Sequence, residues 1–105
     1  MSIYRGMVHY HFKNGWEEKG LKFLEVELFK AAHEFGNHNF EICYNEKEPG
    51  HVVGISWWNS FEEAQNFQQS WQNKEKEILQ HCTGEPRREF YKLRKSLFEK
   101  SKRAA

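Results

Sequence analysis

The chain has 105 residues, with 16 Lys or Arg against 15 Asp or Glu, and its formal net charge is therefore +1. This length fits a single domain, and so small a net charge gives no overall field that favours nucleic acid or an anionic membrane. The sequence has no apolar run near 18 residues, and Met1 leads directly into a predicted strand instead of a signal peptide. We therefore expect a cytoplasmic protein that contacts neither nucleic acid nor membrane.

The first predicted strand runs from Ile3 to Phe12 and is rich in aromatic and β-branched residues. Because side chains alternate between the two faces of a strand, one face carries Tyr4, Gly6, Val8, Tyr10 and Phe12. The first predicted helix follows from Trp16 to Phe35. Its apolar stripe comprises Leu21, Leu24, Leu28, Ala32 and Phe35, widened by Phe23, Val26 and Phe29.

The second strand is predicted over Asn39 to Asn45, where Phe40, Ile42 and Tyr44 alternate with Glu41 and Cys43. The turn signal Pro49-Gly50 then leads into the third strand, His51 to Trp58, through a connection short enough for a hairpin. Both faces of the third strand are apolar, since Val53, Ile55 and Trp57 alternate with a second set that ends at Trp58. Burial of both sets requires that something cover each face of the sheet.

Ser60 and Glu63 form a capping-box pattern and place the start of a second helix at about Phe61. Arg87 to Leu93 predicts a fourth strand, at an edge of the sheet because Pro86 begins it. Residues 1–93 then form one domain, and residues 94–105 form a basic C-terminal tail.

The resulting order, β-α-β-β-α-β, predicts a ferredoxin-like α+β fold with an antiparallel four-stranded sheet and two helices on one face. The other face would be bare in a monomer. We therefore expect a homodimer whose two sheets pack together, with Val53, Ile55 and Trp57 in the contact.

This order, the chain length and the stretch EKEPGHVVGISWWNSFEEA resemble the antibiotic biosynthesis monooxygenase-like family of dimeric α/β barrels. The resemblance covers residues 3–93, and its most specific part is Trp58-Asn59-Ser60, which matches the family's Trp at the end of the third strand. It implies a pocket between sheet and helices, faced by Trp58. The family includes oxygenases of phenolic molecules that need no cofactor, haem-degrading oxygenases and proteins with no known reaction.

Two positions depart from the haem-degrading pattern. Gln72 stands where many members have a His in the second helix, and Val8 stands where that branch has an Asn. Neither is a good axial ligand for haem iron. The resemblance thus favours a protein without a cofactor that binds a small aromatic or phenolic molecule. The alternatives are a haem-binding or haem-degrading oxygenase and a non-catalytic ligand-binding dimer.

The predicted substrate-binding residues are Tyr4, Val8 and Trp58, and the predicted catalytic residues are Tyr10, Trp58 and Gln72. Trp58 would stack on a planar ring, while Tyr10 and Gln72 would be the polar groups of the pocket. Deprotonation of an electron-rich phenol would let its anion pass an electron to dioxygen. The opposing interpretation is that the three aromatic residues are ordinary core side chains.

His9 and His11 stand two apart on one strand face, a spacing that presents two imidazoles to one metal ion. Antiparallel pairing of the first and third strands would bring His51 to the same place. The sequence therefore predicts a cluster of His9, His11 and His51 at one end of the sheet.

Cys43 and Cys82 lack the spacing of a CxxC motif, and we expect two reduced thiols.

Overall fold

The structure is a computed structural model, and it describes residues 3–36 and 39–97. Its strands are β1 (Tyr4–His11), β2 (Phe40–Tyr44), β3 (His51–Trp58) and β4 (Arg87–Lys92). The first helix lies between β1 and β2, and the second helix, Phe61–Leu79, lies between β3 and β4. The predicted ferredoxin-like α+β fold is confirmed. The part of the predicted tail beyond residue 97 lies outside the described residues.

The four strands form one antiparallel sheet in the order β2-β3-β1-β4. β1 is central and pairs with β3 so that Tyr4 lies opposite Trp58 and His11 lies opposite His51. β4 is an edge strand, as Pro86 predicts. Both helices pack on the face that carries Tyr10 and Trp58.

The first helix is not uniform. It is α-helical over Glu17–Phe23, π-helical over Leu24–Leu28 and α-helical again over Phe29–Glu34. Its buried residues are Gly20, Leu24, Leu28 and Ala32. The sequence analysis assigned Val26, Phe29 and Phe35 to the apolar stripe, but they are exposed. This part of the prediction is wrong because Val26 and Phe29 follow the buried Leu24 and Leu28 by two positions and one, which turns them away from the sheet. Phe35 follows the last helical residue and contacts Phe67 edge-on, with ring centroids 5.6 Å apart.

The first helix and β1 meet where glycine permits a close approach. A Cβ atom at Gly20 would lie 2.5 Å from Cζ of Phe12, so the Phe12 ring occupies the space of the missing side chain. The helix ends at Gly36, which has a φ of +75° and donates its N–H to the His33 carbonyl at 2.8 Å.

The second helix begins as its capping box predicts. The Ser60 hydroxyl accepts a hydrogen bond from the Glu63 backbone N–H at 3.2 Å. The helix buries Ala64, Phe67, Gln68, Trp71, Glu75 and Ile78. Among the described residues, neither helix has the length and apolar character needed to span a membrane.

The opposite face of the sheet, here called the open face, has an apolar centre. Met7 pairs with Ile55 and His9 with Val53, and Arg5 pairs with Trp57 and lies over its ring at 5.2 Å. Val53, Ile55 and Trp57 are all intermediate in burial, whereas Val52, Gly54, Ser56 and Trp58 on the helix face are buried. The alternation predicted for β3 is thus confirmed.

Candidate functional site

A network of polar side chains crosses the core between β1, the second helix and β4. The Trp71 indole N–H donates to the Tyr10 hydroxyl at 2.7 Å, and that hydroxyl donates to Glu75 Oε2 at 2.5 Å. Arg88 donates to the other Glu75 oxygen and, through Nε, to Gln68 Oε1 at 3.0 Å. Glu75 is only 2% exposed, so its buried charge depends on Arg88 for compensation.

Tyr10 is a hydrogen-bond donor in this network. Burial, followed by the negative charge of Glu75, raises the pKa of the Tyr10 hydroxyl far above its ordinary value. The hydroxyl therefore stays protonated at neutral pH, and it is poorly suited to act as a general base.

The structure does not bring Gln72 to this network. Gln72 is exposed, whereas Gln68, Trp71 and Glu75 lie on the buried side of the second helix. Residues three and four apart share a helix face, and Gln72 follows Trp71 by only one position. The sequence analysis missed Glu75, although its spacing from Trp71 and Ile78 places it in the same stripe.

The predicted substrate-binding residues are largely core residues. Trp58 is 4% exposed, packs against Phe67 with ring centroids 5.0 Å apart, and donates its indole N–H to Ser56 Oγ at 2.7 Å. Val8 is buried too. Tyr4 is partly buried beside Phe61, with ring centroids 6.3 Å apart. The space beside Trp58 is therefore filled by neighbouring side chains, and the roles of these residues in substrate binding stay predictions.

A cleft of about 250 Å³ opens between the start of the first helix, the end of the second helix and the end of β1. Its lining residues are mostly aromatic or charged: Phe12, Trp16, Lys19, Gly20, Phe23, Glu77, Ile78 and His81. The Trp16 and His81 rings stack with centroids 3.4 Å apart, and Lys19 Nζ lies 4.8 Å from the Trp16 ring centroid. Aromatic walls with a few polar groups are typical of small-molecule sites.

This cleft does not fit haem. Its volume lies below the about 300–1,000 Å³ that is usual for pockets holding larger ligands. The core beside Trp58 offers no alternative, since Tyr10, Phe67 and Trp71 are each at most 2% exposed and pack there. A ligand that fits this cleft would therefore be smaller than haem.

The predicted histidine cluster is present at one end of the open face. His9 Nδ1 lies 3.0 Å from His51 Nε2, and the His11 and His51 rings stack with centroids 4.3 Å apart. Two carboxylates join them. His9 Nε2 contacts Glu89 Oε1 at 2.8 Å, and His51 Nδ1 lies 4.0 Å from Glu48 Oε2.

Electrostatics disfavour a positive charge on His51. Partial burial, followed by the neighbouring His11 and His9, lowers the pKa of His51. Hydrogen bonding from His9, and then from Tyr91, lowers the pKa of Glu89. At neutral pH we therefore expect a neutral His51 imidazole and an ionised Glu89 carboxylate.

No protein-family model matches this chain, and a comparison with curated proteins finds no match either. Solved structures do match. A protein described as "Putative antibiotic biosynthesis monooxygenase" from Nitrosomonas europaea superposes with a TM-score of 0.72 at 14% identity, covering 85% of this chain and 96% of that one. A protein of unknown function from Nitrosomonas europaea gives a TM-score of 0.77 at 16% identity, covering 94% of this chain and 96% of the other.

A dimeric ferredoxin-like protein from an uncultured marine organism is similar as well. Its TM-score is 0.71 at 13% identity, and 94% of each chain is covered. At such low identity the likeness concerns the fold and says nothing of the reaction. This chain thus has the fold of the antibiotic biosynthesis monooxygenase-like, ferredoxin-fold proteins, as the sequence resemblance implies.

Proposed function

We propose that this protein is a homodimer that binds a small aromatic molecule, such as a phenol, in the cleft between its two helices. The observation that supports this proposal is the aromatic lining of the cleft. Phe12, Trp16 and Phe23 offer ring faces and edges, while Lys19 and His81 offer polar groups for a hydroxyl or its anion. The ligand lies here, and not beside Trp58, because the core around Trp58 is filled.

Calorimetric titration with 1-naphthol tests this binding site. We expect saturable binding at one molecule per chain. Phe23→Trp fills the cleft and should weaken binding at least tenfold. Phe61→Trp makes the same change at an exposed residue outside the cleft and should leave binding unchanged. Absence of binding, or equal binding by the wild type and Phe23→Trp, would contradict the proposal.

Oxygenation of the bound phenol is a second candidate function, and His81 favours it. The imidazole of His81 lines the cleft and is a suitable acceptor for a phenolic proton. The phenolate would then pass an electron to dioxygen. For 1-naphthol the balanced reaction consumes one O₂ and gives 1,4-naphthoquinone and one water, with no cofactor.

An oxygen electrode distinguishes oxygenation from binding alone. An oxygenase consumes dioxygen in step with quinone formation, and His81→Asn should reduce that rate by about 10²-fold or more, as expected for loss of a general base. Binding of 1-naphthol without oxygen uptake would instead indicate a non-catalytic ligand-binding dimer.

The homodimer is proposed to form through the open face. Val53, Ile55 and Trp57 are incompletely buried there, and association would remove their apolar surface from water. Light scattering should give about twice the 12.7 kDa chain mass. Ile55→Lys should produce monomers, whereas Val26→Lys, at an exposed residue of the first helix, should not. A monomeric wild type would refute this part of the proposal.

A further inference from the structure

We propose that His11, His51 and Glu48 bind one divalent transition-metal ion of the zinc class at the end of the sheet. One ligand atom from each residue lies within 4.8 Å of the other two. Two imidazoles and one carboxylate form a common ligand set for zinc, with the fourth position left to water. This inference does not depend on the aromatic cleft or on the proposed dimer.

The backbone already sets the spacing of the two imidazoles. His11 and His51 lie directly opposite each other in the β1 and β3 pair, and Glu48 is in the turn just before β3. A tetrahedral zinc site needs ligand atoms about 3.3 Å apart, as follows from bonds of about 2.0–2.1 Å. The Glu48 side chain is 67% exposed, so rotation of its carboxylate can close the remaining gap.

A chain of hydrogen bonds determines which His51 nitrogen is available. The Glu89 carboxylate can only accept, so His9 Nε2–H must donate to it over their 2.8 Å contact. When His9 is neutral its Nδ1 is an acceptor, and His51 Nε2–H then donates to it over 3.0 Å. The lone pair of His51 therefore lies on Nδ1, the nitrogen that faces Glu48.

This arrangement corrects the role predicted for His9. Both of its nitrogens are engaged, Nδ1 by His51 and Nε2 by Glu89, so His9 is a positioning residue and not a ligand. Histidine ligands of metal ions commonly donate their second N–H to a group that fixes the tautomer and ring orientation. Here that support passes from Glu89 through His9 to His51.

The fourth coordination position would open onto a cleft of about 510 Å³. Its lining includes the three proposed ligands together with Lys13 and Lys47. Glu17 and Glu48 line the same cleft and balance the two ammonium groups, and Lys13 Nζ donates to the Gln80 carbonyl at 3.0 Å, so the fourth position is left to water.

The site can be tested by titrating the full chain with Co²⁺ and following visible absorption. The chain is purified without a histidine tag, and Zn²⁺ is then added to compete for the bound Co²⁺. We expect one ion per chain. His51→Asn and Glu48→Gln should each weaken binding more than 100-fold. Glu48→Gln lies on an exposed turn and should fold normally by circular dichroism. His33→Asn, at an exposed histidine of the first helix, is the matched control and should bind as the wild type does.

Glu89→Gln tests the supporting chain. Loss of such a partner typically costs about 10–100-fold in metal affinity, and the bands of bound Co²⁺ should shift at saturation, with partial recovery in Glu89→Asp. A merely structural role would change the melting temperature but not these bands.

No bound Co²⁺ or Zn²⁺, unchanged binding by Glu48→Gln and His51→Asn, or equal loss in His33→Asn would overturn the metal site. Unshifted bands in Glu89→Gln would overturn the positioning role.

Discussion

Trp71 and Tyr10 are 61 positions apart in the chain, yet the Trp71 indole N–H donates to the Tyr10 hydroxyl at 2.7 Å. This bond joins the second helix to the central strand inside the core. Because the same hydroxyl donates onward to Glu75, the polar network holds a buried carboxylate in a space otherwise filled by aromatic rings. The contribution of this network to the free energy of unfolding can be measured without any ligand.

Arg88→Met should destabilise the fold strongly. The substitution leaves Glu75 buried and uncompensated, and loss of one partner of a buried ion pair costs about 3–5 kcal/mol. Arg87→Met is a matched control, because Arg87 is 66% exposed and its pair with Glu89 is worth about 0–1 kcal/mol. Urea unfolding gives both values. The double variant Glu75→Gln/Arg88→Met should recover much of the loss, and equal effects of the two arginine substitutions would contradict the expectation.

Stability should fall steeply with alkaline pH because of Tyr10. Burial and Glu75 raise the pKa of Tyr10 in the folded state, whereas the unfolded chain releases this proton near pH 10. Above that pH the unfolded state binds fewer protons, so the free energy of unfolding decreases by up to about 1.4 kcal/mol per pH unit from this group.

Urea unfolding of Tyr10→Phe between pH 9 and 11 should show a shallower slope than the wild type. Tyr44→Phe, at a tyrosine that is 59% exposed, should retain the wild-type slope. Identical slopes in all three proteins would show that Tyr10 ionises in the folded state.

Gly20→Ala should destabilise the protein, contrary to the usual effect. In an ordinary helix interior this change stabilises by about 0.5–1 kcal/mol. Here the new Cβ would lie 2.5 Å from the Phe12 ring, which must shift within the core. Thermal melting should show a lower midpoint for Gly20→Ala. The same substitution should lower the midpoint less when it is made in a Phe12→Leu background. A higher midpoint for Gly20→Ala alone would refute the close contact.

The two thiols should differ in reactivity. Burial, followed by Glu75, raises the pKa of Cys82 to about 11, and this residue is only 7% exposed. Cys43 is exposed on β2. At pH 8 a disulfide reagent such as DTNB should modify one thiol quickly and the second only after denaturation. Cys43→Ser should abolish the fast reaction, whereas fast modification of Cys82 would contradict its burial.

The elements that follow from the sequence are those with short-range causes. The limits of β3 and the start of the second helix come from Pro49-Gly50 and from the Ser60 cap, both of which act over a few residues. The proximity of His9, His11 and His51 also follows from the sequence, because antiparallel pairing puts the end of β1 beside the start of β3. Alternation separated Trp58 from Val53, Ile55 and Trp57, and the family resemblance assigned it to the helix face, where it lies.

The site is less predictable because its chemistry depends on contacts across the core. Glu75 resembles the solvated charges around it in the second helix, and its polar partners, Tyr10 on β1 and Arg88 on β4, are distant in the sequence. Gln72 was assigned from its alignment with a position in relatives, yet one helical step from Trp71 carries it to the exposed side. Aromatic residues suited to a pocket at Trp58 fill that space instead.

The π segment over Leu24–Leu28 keeps the buried residues of the first helix on one side of it. The buried residues Gly20, Leu24, Leu28 and Ala32 recur every four residues, a repeat that in a regular α-helix drifts by about 40° per step, since 3.6 residues make one turn. The wider turn absorbs one surplus residue and keeps the row on the sheet. This segment is therefore where a length change of one residue is best tolerated: a single deletion here would give a 4-3-4 repeat, which suits an uninterrupted α-helix.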